Sequence, residues 1–174
     1  GNARAMGFAA NAMGFFVGWH YVKQGYGLLI VDSVLQKSFF GDRAKKVFRL
    51  NAYACWIFFF LLGSRNLHDR DYLGFKYYFL DVPPAVLWLT GAVMAVTTAL
   101  AIMEAMKAEY GGARRNVPIN GYVAYLVSIY IWLAVFWTPS VLYVIPAFHS
   151  LQYLAVVWRY ELNRQETALA ATQN

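Results

Sequence analysis

Charged residues leave four long stretches of the chain empty: Ala5 to Val22, Leu50 to Ser64, Val82 to Met103 and Asn116 to Trp158. A helix rises about 1.5 Å per residue, so roughly 20 apolar residues cross a hydrocarbon layer about 30 Å thick. The first three stretches suit one crossing each, and the last is long enough for two. Its dividing point is Trp137, Thr138, Pro139 and Ser140, where proline removes a backbone donor and disfavours helix in the residue before it. The pattern predicts an all-α, polytopic transmembrane bundle over 1–158, with five spanning helices at about 8–31, 47–63, 82–103, 119–136 and 141–158. The tail, 159–174, reads as a short helix that frays. Between the second and third helices, Leu73 to Leu80 places Phe75, Tyr77, Tyr78 and Phe79 beside Lys76, the composition of a segment lying in the membrane interface.

Composition agrees with this pattern. Of the 174 residues, 60% are hydrophobic and 14% charged, whereas soluble domains carry about 25% charged residues. An ordinary soluble enzyme is thereby excluded. The single cysteine, Cys55, lies in an apolar run, which excludes an internal disulfide framework or a cysteine metal cluster. The net charge of +6 is concentrated in loops. Lys37, Arg43, Lys45, Lys46, Arg49, Lys107, Arg114, Arg115, Arg159 and Arg164 fall on one side of the five-helix topology, against Arg4, Arg65, Arg70 and Lys76 on the other. The positive-inside rule makes the richer side cytoplasmic, with the C-terminus inside, as in a bacterial inner membrane. That topology accounts for the basic residues without nucleic acid. The stretch Gly1 to Arg4 has no initiator Met and no signal-peptide character, so a processed product or fragment is expected.

Ionisable and amide groups at bilayer depth are costly, which makes each a functional candidate. The first helix centres near residue 19 or 20 and carries His20, Lys23 and Gln24; the fifth centres near 149 or 150 and carries His149, Gln152 and Tyr153. His20 and Gln24 share a helix face at i, i+4, as do His149, Gln152 and Tyr153 at i+3 and i+4. If these two helices pack together, both imidazoles face one polar pocket near the midplane. Neutral imidazole binds metals and serves as an axial ligand of haem or chlorophyll. A proton or quinone site, or a hydrogen-bonded pair that only fixes packing, uses the same residues. His68, in the loop sequence NLHDRD, reads as solvated, and Asp32 and Glu104 lie too near the helix ends to be third ligands.

Helix-packing signals surround the first histidine. Gly7, Asn11, Gly14, Gly18 and Gly25 form a stripe of small or short residues about 180° from His20, and Gly14 with Gly18 is a GxxxG element. Burial of the first helix on both faces is the expectation. Pro146, three residues before His149, predicts a kink in the fifth helix.

The strings around the two histidines, WHYVKQGYG and FHSLQYLAVVW, resemble motifs of the membrane-embedded β-carotene dioxygenases of bacteria and archaea, the bacteriorhodopsin-related, retinal-forming family. His20 with Tyr21 matches that family's HF-type motif; His149, Ser150 and Trp158 match its HSxxHFxxxW-like motif. The resemblance implies non-haem iron held by histidines from several helices and oxidative cleavage of a hydrophobic polyene. In that scheme His20 and His149 are ligands, Gln24 and Gln152 orient them, and Tyr153 donates a hydrogen bond near metal or substrate. Gln152, Tyr153 and Leu154 stand where the second motif has another histidine, and the family's further histidines have no counterpart between Gly1 and Asn174. A fragment or a relative lacking the iron centre is implied.

The other class of function that fits is a non-catalytic accessory subunit of a photosynthetic or respiratory membrane complex. There the 18% Phe, Trp and Tyr would meet lipid, carotenoid, quinone or tetrapyrrole, and the histidines would bind haem or (bacterio)chlorophyll. A transporter lacks its matching half. No Walker A, GxGxxG or GxSxG string points to nucleotide or serine-hydrolase chemistry.

Overall fold

The computed structural model describes residues 3–66, 71–72, 75–76, 80–110, 118–138 and 141–172; at 148–149, 152 and 155–156, among others in the last helix, the description covers the backbone alone. The fold is all-α. Its long elements are α1 (Ala3–Leu35), α2 (Asp42–Asn66), α3 (Pro84–Tyr110), α4 (Ile119–Trp137) and α5 (Val141–Thr172). A minimal hairpin, β1 (Asp71–Tyr72) with β2 (Phe75–Lys76), lies between α2 and α3, with Asp71 opposite Lys76. Of the aromatic segment expected at the membrane interface, 73–74 and 77–79 lie outside the described residues.

Local chemistry sets the helix ends. After α1, Lys37 turns left-handed at φ 55°, its N–H donates to the Val34 carbonyl (3.0 Å), and Ser38 N–H donates to the Ser33 carbonyl (2.8 Å). This is a Schellman closure with lysine where glycine is usual. Pro84 occupies the first position of α3, where its missing N–H costs nothing. Pro118 caps α4 without a side-chain acceptor, and Asp32 of α1 supplies one, its Oδ2 accepting from Gly121 N–H at 2.8 Å. At the other end of α4, Thr138 N–H closes onto the Ala134 carbonyl. The α5 helix continues through Pro146 and across Arg159 to Thr172, so no helix break separates the apolar segment from the tail.

Packing is organised around α2 and α4: α1 lies along α4 and part of α2, and α3 lies along α2. The small-residue stripe of α1 provides the close approach. Gly18 is seated on the Trp56 ring and Gly25 on Ser128, while Gly121 of α4 returns the favour at Leu29 and Asp32. Aromatic rings fill the space between α1, α2 and α4, including Trp19 stacked on Tyr53 (4.3 Å between centroids), Tyr21 on Trp132 (6.0 Å) and Trp56 tilted against Trp132 (4.8 Å). The α5 helix meets this core through its first turns, where Ile145 is buried and Val141 packs against the cluster.

Among the described residues three helices are long and apolar enough to cross a membrane: Asp42–Arg65, Pro84–Lys107 and Ile119–Trp137. That is fewer than the five expected. Asn11, His20, Lys23 and Gln24 dilute the apolar character of α1, and several side chains of the Val141–Trp158 segment of α5 lie outside the description. The outward surface carries large apolar side chains, compatible with contact to lipid. Trp88 is 80% exposed, and Leu89, Val93, Val96 and Ile102 continue an apolar outer face along α3. Charges gather at one end, where Glu104 accepts from Arg43 (3.2 Å) and Lys107 (3.1 Å) beside the Asp42–Lys45 pair.

Candidate functional site: polar groups between the helix ends

Two sets of polar side chains lie between the helix ends, and they differ in how they are satisfied. The first is buried among α2, α3 and α4. Asn51, 2% exposed, donates through Nδ2 to Thr98 Oγ1 (2.8 Å) and Thr97 Oγ1 (3.3 Å), with Cys55 Sγ at 3.5 Å. Its Oδ1 accepts from Tyr125 OH at 2.8 Å, and the same hydroxyl lies 2.7 Å from the Phe48 carbonyl. Thr98 Oγ1 continues to Tyr130 OH at 3.1 Å, and Thr97 turns its proton back to Val93 or Met94. Each member has a partner, so the network joins three helices as interhelical hydrogen bonds do in lipid.

Hydrophobic periodicity missed this cluster. Its signals were Asn51 and Cys55 at i, i+4 on an otherwise apolar face and the adjacent Thr97 and Thr98, a lone amide opposite hydroxyls of matching depth.

The second set is on α1. The register against α4 runs antiparallel, with Gly25 opposite Ser128 and Asp32 beside Gly121, so residues 20–25 of α1 are level with the middle of α4. Gly7, Gly18 and Gly25 are buried and Gly14 is half-buried. His20 and Lys23 are on the opposite, exposed face, with Phe16 and Met13. The expectation that α1 is buried on both faces is therefore corrected: its glycine face alone packs, because α2 and α4 both approach from that side. Gln24 is half-buried at the edge of the interface, and its Nε2 is buried without a hydrogen-bond partner. The Trp56 and Trp132 indole N–H groups share that condition. Asp32 is engaged at the α4 N-terminus.

On α5, Tyr153 is 58% exposed and Pro146 is exposed, with Ser150 Oγ donating to the Pro146 carbonyl at 2.9 Å. His149 and Gln152 lie on the helix backbone, and their side chains are outside the description. The principal packing of α1 is with α4 and α2, and that of α5 is with α4; among the described residues α1 and α5 form no comparable interface. Among the described residues no three of His, Cys, Asp and Glu gather as metal ligands. Two imidazoles suffice for the axial positions of a haem or for one pigment each, whereas non-haem iron calls for three or more ligands. Comparison with protein-family models, curated proteins and solved structures finds no match.

Proposed function

We propose that the chain is an integral membrane protein of five crossings whose α1 and α5 bear a histidine-based cofactor site, carried on the α2–α3–α4 scaffold. The three apolar helices and the lengthwise packing of α1 on α4 support the crossings, since a helix in register with a spanning neighbour shares its depth. The charge-free part of α5, Val141 to Trp158, supplies the fifth. The basic end, with Lys45, Lys46 and Arg49, faces the cytoplasm of a bacterial inner membrane, and lipid covers the outer faces.

The observation that carries the site is the contrast between the two polar sets. The Asn51 network is satisfied within α2, α3 and α4, while α1 turns His20 outward one turn from Gln24, whose amide nitrogen, like the Trp56 and Trp132 indole N–H groups, has no hydrogen-bond partner among the described residues. Buried donors of that kind call for an explanation beyond helix packing. In this reading His20 and His149 each ligate a metal or tetrapyrrole on their own helix, since among the described residues α1 and α5 share no comparable interface; Gln24 and Gln152 hold the imidazoles in position, and Tyr153 faces a hydrophobic small molecule. The resemblance to carotene dioxygenases favours iron and a polyene substrate, with the remaining iron ligands contributed from outside this set of residues.

A second reading, a non-catalytic subunit of a photosynthetic or respiratory complex binding haem, (bacterio)chlorophyll, carotenoid or quinone, is favoured by the attachment of α5 through its first turns. Metal analysis and an absorption spectrum of detergent-purified protein, beside His20→Ala and His149→Ala, separate the two. Stoichiometric iron without a Soret band, lost in both variants, supports the oxygenase. Haem or pigment bands lost in the variants support the subunit. Absence of both metal and chromophore overturns the cofactor site and leaves the histidines as packing residues.

A further inference from the structure

The charge-free stretches of α1 and α2 end at the same level. The two helices run antiparallel along one seam, with Phe15 against Phe60, Gly18 on Trp56, Trp19 stacked on Tyr53, and Arg49 within electrostatic reach of Tyr26. Lys23, which follows the stretch Ala5 to Val22, is thereby set level with Arg49, which precedes Leu50 to Ser64. From there α1 continues to Asp32 and α2 runs back to Asp42, both at the charged end of the bundle. Read with α1 and α2 as spanning helices, on which this inference rests, Lys23 and Arg49 mark the border between hydrocarbon and headgroups on the basic side.

The cations at this border have no internal counterion. Lys23, Lys46 and Arg49 are exposed and, among the described residues, none of them enters an ion pair. The acids of that end are engaged elsewhere: Glu104 with Arg43 and Lys107, Asp42 with Lys45, and Asp32 with Gly121 N–H. Arg49 and the Tyr53 hydroxyl both lie within electrostatic range of the Tyr26 hydroxyl, so a guanidinium and two phenols converge at the seam. Lys23 is one turn from Tyr26 on α1, and Lys46 one turn from Arg49 on α2. Deeper, the seam is apolar: Trp19 stacks on Tyr53, and Leu50 and Ile57, exposed on α2, flank Tyr53 at helical spacing. From the end inward the order is cation, phenol, aliphatic, which matches a phospholipid read from headgroup to acyl chain.

We propose that the α1–α2 seam at Lys23, Tyr26, Arg49 and Tyr53 is a binding site for an anionic phospholipid. Its phosphate oxygens accept from the Arg49 guanidinium, whose planar fork suits them, and from the tyrosine hydroxyls. Lys23 and Lys46 balance the remaining charge, and an acyl chain lies along Tyr53 and Ile57. A zwitterionic headgroup would bring its own ammonium into a cluster that already holds three cations. Free phosphate would leave the apolar part of the seam uncovered. Basic pockets between membrane helices on the cytoplasmic side hold anionic headgroups in this way, and each Lys or Arg near the surface contributes roughly fivefold in affinity.

The test uses the purified full chain in a non-ionic detergent, offered equal amounts of phosphatidylglycerol and phosphatidylcholine with the same acyl chains. Native mass spectrometry counts the lipid retained. The expected result is a clear preference for phosphatidylglycerol that falls about fivefold in Lys23→Gln and in Arg49→Gln. The preference persists in Lys23→Arg, in excess inorganic phosphate, and in Arg159→Gln, which removes an exposed cation of the same membrane side on α5. Lys46→Gln, outside the helix contacts, gives a similar fall even where a variant at the seam unfolds early. Equal retention of both lipids, displacement by phosphate, or a preference indifferent to positions 23, 46 and 49 overturns the proposal, as does one that Arg159→Gln lowers equally. Lys46→Cys and Ile57→Cys, probed with a membrane-impermeant thiol reagent in sealed vesicles, isolate the premise. Labelling of position 57 overturns the spanning of α2, and the lipid site with it. Labelling of 46 with protection of 57, combined with no preference for phosphatidylglycerol, overturns the lipid site alone.

Discussion

Replacing Asn51 with leucine removes the hub of the α2–α3–α4 network while nearly conserving volume. Three interhelical contacts are lost, to Thr98 at 2.8 Å, Thr97 at 3.3 Å and Tyr125 at 2.8 Å. Interhelical hydrogen bonds within membranes average about 0.6 kcal/mol and reach about 1.7. The substitution should therefore cost about 1–2 kcal/mol. It stays in that range because few groups are orphaned: Tyr125 OH keeps the Phe48 carbonyl at 2.7 Å and Thr98 keeps Tyr130 at 3.1 Å. Tyr125→Phe is the informative partner, since it leaves Asn51 Oδ1 buried without its donor, a loss of about 1–3 kcal/mol. In the double variant that orphan disappears, so the two losses should sum to more than the measured total by about 0.5–1.5 kcal/mol. Unfolding in mixed micelles with increasing SDS, followed by tryptophan fluorescence, reads all four stabilities. An Asn51→Leu protein as stable as the parent, or a double variant equal to the sum of its parts, would refute the reasoning.

Other substitutions test the same structure. Gly18→Ala drives a methyl group into the Trp56 ring and should destabilise the bundle by about 1–3 kcal/mol in that assay, whereas Gly14→Ala, with nothing within 4 Å, should be neutral or slightly stabilising. Asp32→Ala deprives the α4 N-terminus of its acceptor and should cost about 0.5–2 kcal/mol, with faster amide hydrogen exchange confined to the first turn of α4. Arg43→Ala, at the charged end, should cost under about 1 kcal/mol because the Arg43 side chain is 76% exposed and Lys107 still pairs with Glu104; the difference should shrink as salt is raised. Lys37→Gly should stabilise by about 0.5–1 kcal/mol, since φ 55° suits glycine better than lysine.

Much of the architecture is legible from charge and small residues. Removing charge from a stretch of this length leaves a helix few alternatives, and the glycine stripe of α1 announces a close contact that Gly18 on Trp56 and Gly25 on Ser128 realise. The site is less legible because residue type and depth locate His20 without saying which side of α1 its neighbours occupy. Periodicity placed the stripe and the histidine on opposite faces; the choice that α2 and α4 both use the glycine face belongs to tertiary packing. The Asn51 network escaped for a related reason. One amide in an apolar run is invisible to hydropathy until Thr98 and Tyr125, 47 and 74 positions away, are brought beside it. The extent of α5 escaped because Arg159 to Thr172 is built of good helix formers whose charge suggested an end and whose backbone continued.

The most direct test of the membrane-spanning account is side-specific labelling of single cysteines in sealed vesicles, with the buried Cys55 as background. Lys46→Cys at the basic end of α2, Asp81→Cys before α3 and Val96→Cys on the outer face of α3 sample both ends and the middle of the bundle. The account predicts labelling of position 46 from the cytoplasmic face only, of position 81 from the opposite face only, and of position 96 from neither until detergent unfolds the protein. Labelling of 46 and 81 from the same face, or of 96 in intact vesicles, would contradict it.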